Sequence, residues 1–124
     1  MIHFITEIRK EISSAVTQVP VLIQYPDSKE LPVVIVLETS NAIIRNRDDL
    51  MHISVSFFVE VWDKNINDLN ILVDTIDKKL LDMKIIRNGI SHHNTTDLYG
   101  RQLSYRCEVL YNKKTEEYTI HNNN

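Results

Sequence analysis

Leu50-Met51-His52-Ile53-Ser54-Val55-Ser56-Phe57-Phe58-Val59-Glu60-Val61-Trp62 is the stretch that decides the fold. Met51, Ile53, Val55, Phe57, Val59 and Val61 alternate with Leu50, His52, Ser54, Ser56, Phe58, Glu60 and Trp62. Successive side chains of a strand point to opposite faces, so a period of two held this long predicts a long antiparallel strand with one face on the core. The other face is mostly polar but carries Phe58 and Trp62.

Upstream, Ile5, Ile8, Ile12, Val16 and Val19 recur every three or four residues, which predicts an amphipathic helix. Pro20 biases its predecessor away from helical geometry, so the helix is expected to end near Gln18. Val21 to Tyr25 reads as a short strand, Pro26 to Glu30 as a turn, and Val33-Val34-Ile35-Val36-Leu37 as a strand covered on both faces. Ser40 to Asp49 has no clear period and reads as a projecting loop or arm.

Downstream, Ile66, Leu69, Leu72, Val73, Ile76, Leu80 and Met83 keep a helical period. Asn65 is the expected N-cap, Asp68 suits the positive helix start, and Lys78, Lys79 and Lys84 suit the negative end. Ile85 to Thr96 reads as a polar, exposed strand, and Asp97 to Gly100 as a turn. Leu103, Tyr105, Cys107, Val109 and Tyr111 then form the apolar face of a last strand. The expected architecture is α+β: an antiparallel (mixed) sheet of four to five strands with two helices on one face, in the order α-β-β-β-α-β-β. Residues 1–111 form one domain, and 112–124 are expected to be a polar C-terminal tail or arm.

Composition removes several functional classes. Gly89 and Gly100 are the two glycines and stand alone, so no glycine-rich loop exists to cradle a phosphate. A net charge of −3 leaves no general electrostatic footprint for nucleic acid. The longest apolar run, Val33 to Leu37, is far below the roughly 20 residues of a membrane-spanning helix. The first residues lack the basic-then-apolar order of a secretory signal, and the single cysteine cannot form an internal disulfide, so a reducing, cytosolic setting is expected.

No catalytic template finds its residues. His92 and His93 draw attention as metal ligands, but neighbours on a strand face opposite ways and no ligand pair at metal spacing accompanies them. His3, His52 and His121 lie elsewhere. Cys107 falls on an apolar face, where a thiol is inert. Asp74 and Asp77 read as surface charge beside Lys78. No catalytic residue, no metal ligand and no cofactor is therefore expected, and the chain reads as a protein that acts by contact. Phe58 and Trp62 are candidate contact residues, with cover by the first helix or the tail as the equal alternative. Ile43, Ile44, Arg45 and Arg47 in the 40–49 segment are the second candidate.

The whole arrangement resembles a known family. An N-terminal helix, the Leu31-Pro32-Val33-Val34-Ile35-Val36-Leu37 strand, a polar connection, the long His52 to Trp62 strand, a helix and the closing Leu103-Ser104-Tyr105-Arg106-Cys107-Glu108-Val109-Leu110-Tyr111 strand resemble the tail-terminator or tail-completion proteins of long-tailed bacteriophages. The likeness spans residues 2–111 and is a pattern of elements, not a catalytic fingerprint. It implies a structural virion protein, assembled in the host cytoplasm, that forms a homo-hexameric ring at the head-proximal end of the tail. Such a ring binds the tail-tube protein on one side and a head connector or neck protein on the other, with genomic DNA passing through its lumen without specific binding. It implies no cofactor and no membrane, and residues 40–49 would match the family's inter-subunit arm. The alternatives are another phage neck or head-tail connector component, or a small α+β ligand-binding domain or enzyme using His92, His93 or the polar face of the long strand.

Overall fold

The computed structural model describes residues 4–27 and 30–121. Its elements are α1 (Phe4–Ala15), β1 (Val21–Leu22), β2 (Val33–Arg47), β3 (Leu50–Asp63), α2 (Ile66–Asp82), β4 (Arg87–Asn94), β5 (Tyr99–Asn112) and β6 (Glu117–His121). The chain is α+β, with one mixed six-stranded sheet and two helices on one of its faces. The strand order is β1-β2-β3-β5-β4, and β6 pairs with β5 off that path. Only the β1–β2 pair is parallel among the described strands.

The alternation in β3 does what its period requires. Ile53, Val55, Phe57, Val59 and Val61 are buried against Ile8 and Ile12 of α1 and Leu69, Val73, Ile76 and Leu80 of α2. Leu103, Tyr105, Cys107 and Val109 of β5 continue the same face, and Phe57 stacks on Tyr105 with ring centroids 5.3 Å apart. Burying side chains of this size stabilises by about 1.5–3 kcal/mol each, which makes the β3–β5 pair the centre of the molecule. Asn65 caps α2 as expected, its Oδ1 accepting from the backbone N–H of Asn67 at 2.9 Å and Asp68 at 3.1 Å.

Three expectations are corrected. The first helix ends at Ala15, and Gln18, at φ 68°, lies beyond it. Residues 40–49 are not a loop, because β2 runs to Arg47 and turns at Asp48 and Asp49 into β3. Register shifts between Glu38 and Ser40 and between Ile43 and Arg45 each insert a residue and move the following side chains to the other face, erasing the period of two. Residues 112–121 are not a tail either. Asn112 Oδ1 accepts from the N–H of Lys114 and Thr115, and Glu116 takes a positive φ of 59°. The chain then returns as β6, with Tyr118 opposite Tyr111 and Ile120 opposite Val109 on the core side. The domain therefore includes residues 112–121, and the last part of the proposed tail, 122–124, lies outside the described residues. The turn read at 26–30 lies partly outside them too.

Candidate functional site

The two helices cover one face of the sheet, which leaves the outer face, the sheet edges and the hairpin end as the open surfaces of the sheet itself. These places differ sharply. Near the β1 end, the outer face is closed by a small polar and aromatic cluster. Glu60 is buried there, and its two carboxylate oxygens accept from the Tyr25 hydroxyl and from Trp62 Nε1 (3.1 Å). The bond to Glu60, with desolvation and the carboxylate charge behind it, pushes the Tyr25 phenol up to about 12. Trp62 lies flat over Gly100: a Cβ added there would stand 2.4 Å from the indole, so only glycine fits. His93 approaches the same ring at 6.4 Å.

Among the described residues, neither the first helix nor the 112–121 segment covers Phe58 and Trp62. Helix α1 packs on the opposite face, and β6 joins the far half of β5. Both residues are half-buried. Trp62 spends its one donor on Glu60 and its ring on Gly100, so it belongs to a satisfied local cluster.

Toward the hairpin end the picture reverses. Every residue from Glu38 to Leu50 is exposed, and Ile43 (58%), Ile44 (45%) and Leu50 (50%) are apolar side chains left to water. β1 pairs with β2 only at Val34 and Ile35, so the outer edge of β2 beyond them has no strand partner among the described residues. Arg45 and Arg47 stand on the outer face opposite His52 and Leu50. With Ile44, Leu110 and His121 they line a concavity of about 770 Å³. The structure thus brings Ile43, Ile44, Arg45 and Arg47 together at one end and leaves Phe58 and Trp62 toward the other.

One wall of that concavity holds a group that spacing in the sequence did not single out. His52 on β3, Glu108 on β5 and His121 on β6 share the outer face, with Glu108 directly opposite His121. One ligand atom from each lies within 4.8 Å of the others. His52 Nε2 is 3.4 Å from Glu108 Oε2, yet it is buried and makes no aligned hydrogen bond. A buried polar atom left unpaired costs about 1–3 kcal/mol, so this nitrogen marks a place with unused binding capacity. The two imidazole rings meet edge to face at 5.1 Å. The available signal was the alternation itself: His52 and Glu108 both fall at polar-face positions of their strands. His121 was hidden because β6 was not read as a strand.

His92 and His93 are exposed on β4 and pair with Arg101 and Gly100, which puts them on opposite faces. Cys107 is buried, and burial pushes its thiol up to about 12, far from the reactive range. No helix among the described residues is long and apolar enough to cross a membrane. Compared with protein-family models and with curated proteins, the chain matches none.

Proposed function

We propose that this chain is a structural, non-catalytic subunit of a bacteriophage neck that assembles with its own copies into a ring, six subunits round, at the head-proximal end of the tail. There it ends tail-tube growth and joins tail to head, placing the protein in the virion. The observation that carries the reading is the edge of β2 from Glu38 to Arg47, which has no strand partner among the described residues, is exposed on both faces and bears Ile43 and Ile44. A strand edge offers a row of N–H and C=O groups to any chain that can lie beside it. Proteins guard such edges with bulges and charges, and β2 carries both, two register shifts and the pair Arg45 and Arg47. The edge is thereby closed to indiscriminate pairing and open to a partner shaped to it. A second copy, presenting the same hairpin at a fixed rotation, meets that condition and closes into a ring when the rotation closes.

Native mass spectrometry and electron microscopy of the purified chain, alone and with tail-tube protein, test this. A ring of six is expected at least when tube protein is present. A strict monomer under both conditions overturns it. The concavity lined by Arg45, Arg47, Asp48 and Asp49 favours a second reading, a ligand-binding domain, which predicts saturable binding of a small polar molecule by a monomer that never forms rings.

A further inference from the structure

We propose that His52, Glu108 and His121 form a binding site for a divalent transition metal of the zinc type, with two imidazoles and one carboxylate as ligands and a further coordination position open to the neighbouring concavity. The site does not depend on ring assembly, and neither proposal falls with the other.

The argument begins with placement. β3, β5 and β6 lie side by side, and the register puts Glu108 between Ser54 and His121 in one cross-strand row, with His52 in the adjoining row on the same face. Three ligand-bearing side chains thus come from three backbone segments that hydrogen-bond to one another, which fixes their spacing without any loop. Zinc–nitrogen and zinc–oxygen bonds of about 2.0–2.2 Å at tetrahedral angles put ligand atoms roughly 3.3–3.5 Å apart. His52 Nε2 and Glu108 Oε2 already stand at 3.4 Å. All three ligand atoms lie within 4.8 Å of one another, so the widest gap closes by about 1.5 Å or less, within the reach of side-chain rotation.

The donor chemistry selects among cations. Imidazole suits zinc and its neighbours in the transition series, whereas Mg²⁺ demands oxygen ligands in an octahedron and keeps its water. A plain His–Glu ion pair accounts less well for the arrangement. It would align His52 Nε2 with the carboxylate, yet that buried nitrogen has no hydrogen bond. The concavity beyond, lined by Arg45, Arg47, Asp48 and Asp49, leaves the remaining coordination position open to water or a small ligand. Bound metal would join β6 to β3 and β5, so binding should stabilise the fold.

The test uses the full, untagged chain stripped with a chelator and titrated with Zn²⁺, with Mg²⁺ in parallel. One Zn²⁺ per chain is expected, with a rise of several degrees in melting temperature and no effect of Mg²⁺ at the same concentration. His52→Ala, His121→Ala and Glu108→Gln, made separately, should each weaken Zn²⁺ binding by more than the roughly 10–100-fold that losing an outer-shell partner costs. His92→Ala with His93→Ala should leave it unchanged. Substoichiometric Zn²⁺, equal binding of Mg²⁺, full retention in folded His121→Ala, or loss in the His92 and His93 variant each overturns the proposal. The titration of the unaltered chain decides the matter even if one variant fails to fold.

Discussion

The two ends of the β2–β3 pair share one ladder and differ in almost everything else. At the Val33–Leu37 end, Val34 and Val36 lie under the helices, Val33 and Ile35 are buried on the outer side, and Glu60 is satisfied by two donors. At the Ser40–Arg47 end the same strand is exposed on both faces. Backbone pairing with β3, with Lys113 Nζ donating to Asn46 Oδ1 and to the Asp48 carbonyl, therefore sustains the hairpin there, whereas packing sustains the rest. A sheet built this way has a packed body and a presented edge, and the proposed contact function belongs to the edge.

Substitutions at the packed end should be the most damaging. Phe57→Ala removes a ring stacked on Tyr105 in a core with no exposure to collapse into, and should cost about 3–5 kcal/mol in urea unfolding. A loss under 1 kcal/mol would mean that the centre is not where the burial places it. Gly100→Val should cost about 1–3 kcal/mol by displacing the Trp62 indole, and the change in tryptophan fluorescence of the folded protein reports that displacement directly. Asn65→Ala, which removes the cap of α2, should cost about 1 kcal/mol.

Burial on the helix-covered face of β5 also shapes the alkaline behaviour. The Cys107 thiol is pushed up by burial from 9.0 to about 12, so the folded state binds its proton more tightly than the unfolded chain. That contribution is fully present below pH 9 and is lost as pH rises toward 12. Cys107→Ala should flatten this part of the stability profile. A slope identical to that of the unaltered chain between those limits would show that the thiol is not desolvated.

The same contrast explains which parts of the molecule were legible in its sequence. Alternation arises because water and core select different side chains on the two faces of a strand. β3 and β5 have such faces, and both helices have a buried stripe, so all four were readable, as was the Asn65 cap. Residues 40–47 have no buried face, so nothing selected an alternating pattern, and two bulges scrambled what parity remained. β6 is five residues long, and its pattern rests on Tyr118 and Ile120 alone. The cluster of His52, Glu108 and His121 lay beyond reach for a related reason: it exists only once β6 is placed against β5 in the observed register.

The smallest effect on stability is expected where the proposed function is concentrated. Ile43→Asp with Ile44→Asp alters two side chains that are 58% and 45% exposed, beyond the helix-covered part of β2. Surface changes of this kind usually shift stability by no more than about 0.5 kcal/mol, so the thermal unfolding of the variant should nearly overlay that of the unaltered chain. Assembly should respond in the opposite way. Two carboxylates at a strand edge must be desolvated when another copy lies against it, so rings seen with tail-tube protein should disappear while the monomer keeps its fold. Rings that persist would free the β2 edge from any part in assembly. A variant that unfolds would instead show that these isoleucines belong to the body of the sheet, and the distinction between a packed end and a presented end would fail with it.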